Sequence, residues 1–287
     1  MGTLTVTGQV RTPSGLVLRA SGSTTVSAPF LAGVDTSQTG NTATDVANLA
    51  AHAALFPACT GPTKVFSPTG HGLPSWTTGL LGAVPAGWIP MVCFKDMPTQ
   101  QQWVAWLSAM PTRWREVWAT YDQEMEGDQP PAQFVARFQQ LLSWAAGHPN
   151  RGRIKLGPNY TWYPEVHKGY DWHDFWPGPG CDFIGWDLYP AGKSLWLAAD
   201  QLQALPLAAA AEVKLPLVYP EFGVVTDIPQ TAPQQLARSQ WITSQAGYAR
   251  AHGVHAMSWW CGTGNQGNFH LDNDPYGLPA WRAQMGA

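Results

Sequence analysis

Charge is what this sequence has least of. Only 12% of its 287 residues are Asp, Glu, Lys or Arg, about half the share of an ordinary soluble domain. The 16 basic and 19 acidic side chains leave a net charge of -3, so there is no footprint for a phosphate backbone and no nucleic-acid partner is expected. Cysteine is scarce too. Cys59, Cys93, Cys181 and Cys261 lie far apart without C-x-x-C spacing, which argues against a zinc knuckle and, at this length, against a disulfide framework. The longest apolar stretch, Leu195 to Val218, is interrupted by Asp200, Glu212, Lys214 and two prolines, so no membrane span is expected. Residues 1–10 alternate threonine with apolar residues and lack the basic start and apolar stretch of a signal peptide.

Aromatic groups are plentiful: 16 Trp, 8 Tyr and 10 Phe within a 45% hydrophobic set. A large core is therefore affordable, in one big domain or two small ones. Indole packs its flat face on C–H groups and donates one hydrogen bond, which suits a neutral sugar as well as a core. Trp76, Trp114, Trp118, Tyr121, Tyr160, Trp162, Tyr163, Trp172 and Trp176 lie in or beside expected loops, where some should form sugar platforms.

Residues 1–29 read as a β-hairpin appendage: Thr3 to Val10 alternates, Thr12-Pro13-Ser14-Gly15 is turn chemistry, and Ser21-Gly22-Ser23 turns again. An isolated hairpin is marginal in water, so it should dock on the main domain or on a partner. From residue 30 to 287, eight short apolar runs recur, at Phe30–Asp35, Lys64–Ser67, Trp88–Phe94, Glu116–Tyr121, Arg153–Gly157, Asp182–Asp187, Leu215–Pro220 and His255–Trp260. Helical periodicity fills Thr42–Leu55, Gln100–Met110, Gln133–Ala146, Ser194–Ala211 and Pro233–His252, with a short piece near the C-terminus. That alternation predicts an α/β fold, a parallel (β/α)8 TIM barrel whose chemistry sits where strands end. The aromatic-rich connection from Pro158 to Cys181 carries little helical period.

Carboxylates fall at those ends: Asp35, Glu124, Asp187 and Glu221. Glu221 lies in Leu217-Val-Tyr-Pro-Glu-Phe-Gly223, a poor place for an idle charge. Glu124 lies in Tyr121-Asp-Gln-Glu-Met-Glu-Gly-Asp128, with Glu126 as competitor. The fourth and seventh strands of an eight-stranded barrel face each other, so Glu124 and Glu221 can converge as the acid and nucleophile of glycoside hydrolysis.

Four strings in order resemble the retaining glycoside hydrolases of clan A, most closely the β-mannanase family, family 26. They are Gln123-Glu124-Met125-Glu126-Gly127-Asp128, Gly157-Pro158-Asn159, Trp176-Pro177-Gly178 leading into Asp182-Phe-Ile-Gly-Trp-Asp187-Leu-Tyr189, and Glu221-Phe222-Gly223. The resemblance implies Glu124 as acid/base, Glu221 as nucleophile, Tyr189 near the nucleophile, and Trp259 or Trp260 beneath the sugar. Gln123, Asn159 and Trp162 join Asp35 and Asp187 as expected substrate contacts. The family's His before the acid/base is Gln123 here, which separates reaction class from mannan specificity. The expected substrate is a neutral or weakly acidic polysaccharide: β-mannan, β-glucan or a bacterial envelope glycan. The rival is a glycan-binding barrel without turnover, a module of a larger assembly docked through the hairpin. An extracellular or virion-associated setting fits either.

Other motifs fail their context. Gly262-Thr-Gly264-Asn-Gln-Gly267 precedes no obvious helix and leaves too few residues for a dinucleotide unit, so it reads as a flexible loop over the barrel mouth. His252 and His255 lack a third ligand, and Asp272-Asn273-Asp274 reads better as a turn than as a calcium loop. No cofactor and no metal is expected.

Overall fold

The computed structural model describes residues 2–11, 17–26, 30–36, 38–190, 196–225, 231–264 and 267–285. The expected turn at Thr12–Gly15 and Ser194, the start of one expected helix, lie outside them. β1 (Gly2–Arg11) pairs antiparallel with β2 (Val17–Val26) over ten residue pairs. β2 runs unbroken through Ser21-Gly22-Ser23, correcting the second expected turn: cross-strand pairing of Ser21 with Thr7 and Ser23 with Thr5 continues the ladder there.

Each of the eight apolar runs overlaps a strand: β3 (Leu31–Thr36), β4 (Pro62–Ser67), β5 (Ile89–Phe94), β6 (Val117–Tyr121), β7 (Ile154–Leu156), β9 (Ile184–Asp187), β10 (Leu217–Phe222) and β11 (Ala256–Cys261). The added β8 (Asn159–Thr161) follows β7 directly. Helices fill the intervals: α1 (Thr42–Leu55), α2 (Gly79–Ala83), α3 (Gln100–Ser108), α4 (Pro131–Ala146), α5 (Trp162–His167), α6 (Ala199–Val213), α7 (Ala232–Ala251) and α8 (Gly277–Arg282). The segment Pro158–Cys181, which showed little period, holds β8, α5 and a 3-10 turn at Trp172–Phe175, pieces too short to leave one. Starts are set by side chains. Asn41 Oδ1 accepts from the N–H groups of Ala43 and Thr44 at 3.1 and 3.2 Å, and Thr99 with Gln102 forms a capping box on α3.

The strands form two all-parallel sheets, in the orders β3-β11-β10-β9-β8 and β4-β5-β6-β7. They approach one another at β3 and β4, where a Cβ on Gly33 would stand 2.0 Å from the Pro62 carbonyl oxygen; only glycine permits that contact. At the other margin Asp182 N–H donates to Leu156 O at 2.7 Å. Apolar side chains divide into two clusters. A small one of Ile89, Met91, Cys93, Trp118, Phe183, Val218 and Ala256 lies between strands, with β5 contributing every second residue. A large one packs the other strand faces against the helices, with Phe134, Phe138, Leu141 and Leu142 from one stripe of α4. All four cysteines are buried and unpaired with one another. Among the described residues, no helix is long and apolar enough to cross a membrane.

Candidate active site

The carboxylates expected at strand ends converge. Glu124, Asp187 and Glu221 each present an oxygen within 4.8 Å of the others. Glu221 belongs to β10 and keeps its side chain at a partly open position, 16% exposed. Tyr189 donates its phenol to Glu221 Oε2 at 2.7 Å, and the Lys64 ammonium ion-pairs with Glu221 Oε1 and, at 3.2 Å, with Asp187 Oδ2. Burial works against the Lys64 charge, but Asp187 and Glu221 outweigh it and raise its pKa well above the ordinary lysine value.

Glu124 is mounted differently. The chain leaves β6 and turns through Asp122 at φ 48° and Glu124 at φ 53°, left-handed conformations that cost non-glycine residues free energy and persist where surroundings enforce them. Enforcement comes from three sides. Glu124 N–H donates to Asn159 O at 2.8 Å, Lys95 Nζ donates to Gln123 O at 2.7 Å, and Lys95 also pairs with Asp122 and Asp128 at 3.0 and 2.6 Å. Burial, then the charge of Glu221, raises the Glu124 pKa above its usual value, as a general acid near neutrality requires. Glu126, the competitor, turns aside: its Oε1 accepts from Thr161 N–H at 3.0 Å, and burial pushes it up to about 8.

Asn159 joins the two mounts. Its carbonyl holds the Glu124 backbone, while its side chain donates to Asp187 Oδ2 at 2.9 Å, and Asp187 in turn holds Lys64. A Cβ on Gly185 would stand 2.8 Å from Asn159 Oδ1, which accounts for glycine in Asp182-Phe-Ile-Gly-Trp-Asp187.

Several expected substrate contacts are buried. Asp35, Asn159 and Asp187 are 1%, 0% and 0% exposed and act from behind the surface. Asp35 Oδ1 accepts the Lys64 N–H, and burial, then Glu221, raises the Asp35 pKa well above the usual carboxylate range. Gln123 is buried, and its Oε1 finds no hydrogen-bond partner among the described residues. Trp162 and Trp259 are core residues, the latter fully buried with its indole N–H on Phe269 O at 2.8 Å and its ring against Phe222 and Trp281. Trp260 remains partly open, its ring 6.0 Å from Tyr189 and 4.8 Å from Phe269. Trp76, Trp114, Trp118, Tyr121, Tyr160 and Trp172 are likewise buried. Trp76 stacks on Trp106 at 4.1 Å and Trp106 on Trp103 at 5.3 Å, so strand-end aromatics here build layers of core. The side chain of Tyr163 lies outside the described residues, as do Asn265 and Gln266 of the glycine-rich loop.

Asp274 confirms the turn reading. Its Oδ1 accepts from the N–H groups of Tyr276 and Gly277 at 3.0 and 2.7 Å, while Oδ2 pairs with the buried Arg238. The His255 ring lies tilted against Trp118, centroids 5.7 Å apart. The residues that sequence reasoning missed are Lys64, Lys95 and the linking role of Asn159. One signal existed for Lys64: a lysine opening Lys64-Val-Phe-Ser67 puts a charge in a strand that must be buried.

No protein-family model and no curated protein sequence matches the chain. Solved structures do. The chain is similar to a fungal β-1,4-galactanase at TM-score 0.63 and 12% identity, over 88% of this chain and 99% of that one. It is similar to a GH5-4 broad specificity endoglucanase from Clostridum cellulovorans at TM-score 0.58 and 13% identity, over 89% and 93%. It also resembles an endo-β-1,3-glucanase of glycoside hydrolase family 128 from Amycolatopsis mediterranei at TM-score 0.51 and 13% identity, over 88% and 99%. At such identities what is shared is the fold.

Proposed function

We propose that the chain is a retaining glycoside hydrolase acting on a polysaccharide, with Glu221 as nucleophile and Glu124 as acid/base. The observation that carries this is the pair itself: two carboxylates from opposite stretches of the chain, oxygens within 4.8 Å. Retention uses carboxyl groups about 5 to 5.5 Å apart, whereas inversion needs about 6.5 to 9.5 Å to seat a water. The architecture that brings them together is a single closed eight-stranded barrel. Close packing of Gly33 on Pro62 and the Asp182 to Leu156 hydrogen bond support that closure at its two seams.

In the first step Glu221 attacks the anomeric carbon and Glu124 gives its proton to the departing oxygen. Lys64 and Tyr189 fix the Glu221 oxygens, each of which keeps a lone pair for attack. In the second step Glu124, now ionised, takes a proton from the water that releases the sugar. Trp260 supplies the stacking face beside Tyr189. A groove of about 510 Å³ lined by Gln38, Thr39, Ser67, His71 and Leu73 extends the same rim beyond β3 and β4, room for further units of a neutral polymer.

The solved structures similar in fold act on β-1,4-galactan, β-1,3-glucan and, broadly, on glucans, and the motif resemblance adds β-mannan. A reducing-end assay across these polymers tests the reading, with NMR of the first-formed anomer reporting stereochemistry. Release of sugar with the starting anomeric configuration is the expected result. Binding without product would favour the non-catalytic module, and the inverted anomer would overturn double displacement.

A further inference from the structure

Away from the carboxylates, three elements bring two histidines and a cysteine together. His52 comes from the last turns of α1, Cys261 ends β11, and His270 lies in the connection to α8. One ligand atom from each lies within 4.8 Å of the others. Cys261 Sγ is 3.9 Å from His270 Nδ1, which is itself 3.6 Å from Asp272 Oδ1. A tetrahedron built with Zn–N of about 2.0 Å and Zn–S of about 2.3 Å has edges of roughly 3.3 to 3.6 Å, so Cys261 and His270 need to contract by only a few tenths of an ångström, while His52, within 4.8 Å of both, has further to move.

A second observation points to a ligand. His52 is only 7% exposed, and its Nδ1 is buried without a hydrogen-bond partner among the described residues. An orphaned polar atom in a core costs free energy unless something accepts its lone pair. Neither a backbone group nor a side chain does so here.

We propose that His52, Cys261 and His270 form a structural zinc site, with Asp272, 3.6 Å from His270 but outside that three-residue cluster, turning in as fourth ligand. Two imidazoles, a thiolate and a carboxylate are a borderline-soft donor set that suits zinc over calcium or magnesium. Asp272, 39% exposed at its side chain, leaves an entry path. The consequence reaches the candidate active site. Phe269, next to His270, packs its ring 5.3 Å from Tyr189 and 4.8 Å from Trp260. An ion at this place ties that wall to α1, and with it the phenol on Glu221.

The test uses the full chain, stripped with a chelator and titrated with Co²⁺ as the probe. Expected are one equivalent bound, a thiolate-to-cobalt charge-transfer band, visible bands of tetrahedral intensity, and displacement by Zn²⁺. Zn²⁺ in excess should raise the melting temperature of the same protein by about 3 °C or more. Cys261→Ser should abolish the charge-transfer band, and His52→Ala should weaken Co²⁺ binding at least tenfold. Absence of the band with wild-type protein overturns the proposal whether or not either variant folds. So does a band that survives in Cys261→Ser, because it would belong to Cys59, Cys93 or Cys181.

Discussion

Glu124 and Glu221 are the same side chain mounted in two ways. Glu221 continues a regular strand, needs no unusual backbone, and receives an ammonium and a phenol. Glu124 sits past its strand on a left-handed backbone, and Lys95 grips the backbone and neighbouring carboxylates around it. One position thus meets a cation and a phenol, while burial and then the charge of Glu221 raise the pKa of the other. In the proposed mechanism the tertiary surroundings, more than the residue type, divide acid from nucleophile.

Replacing each glutamate breaks the comparison most directly. Glu221→Ala should reduce turnover by about 10⁴-fold or more, and azide should restore part of it as the α-glycosyl azide if the natural linkage is β. Unchanged turnover would remove Glu221 from the chemistry. Glu124→Gln should cost about 10² to 10⁴-fold on polymer yet much less on aryl glycosides whose leaving group needs no proton, and it should erase the basic limb of the pH–rate profile. Equal losses on both substrates would reject the acid role.

The supports come next. Lys64→Met leaves Asp187 and Glu221 without their cation, and breaking such a buried pair costs about 3 to 5 kcal/mol; the denaturant midpoint measures it. Trp76→Ala should cost about 3 to 5 kcal/mol as a cavity mutation with KM unmoved, whereas Trp260→Ala should raise KM with little change in melting temperature. The reverse pattern would exchange their roles. A pH-dependent effect concerns Glu126. Burial pushes its pKa up to about 8 from the ordinary glutamate value of 4.5, so between those two values the native state holds a proton that the unfolded chain has released. Stability contributed by this group is full below about pH 4.5 and is lost as pH rises toward about 8. Glu126→Gln should flatten that slope in pH-dependent unfolding by up to one proton.

Local chemistry made most of the α/β order legible. Each of the eight runs overlaps a strand, and the interval Thr42–Leu55 is a helix to the residue because Asn41 caps it and its apolar positions repeat at helical spacing. Strand-end carboxylates were legible for the same reason: a charge between apolar residues is costly wherever the strand lies. The tryptophans were not. Sequence places Trp259 and Trp260 side by side, but alternation along β11 buries the first entirely and leaves the second at the rim. The expected platforms at Trp76 and Trp114 lie in the core, where α3 brings Trp106 onto Trp76 and Trp76 meets Trp114.

What the chain determined by itself is therefore the alternation of elements and the positions where charge is unavoidable, since both follow from hydrophobic period and desolvation over a few residues. What only the tertiary structure decided is who meets whom: Lys64 with Glu221, Asn159 with both mounts, His52 with Cys261. Those contacts span from 28 to more than 200 positions of sequence, and no local rule reaches that far; they exist because parallel strands laid side by side bring remote ends to one edge.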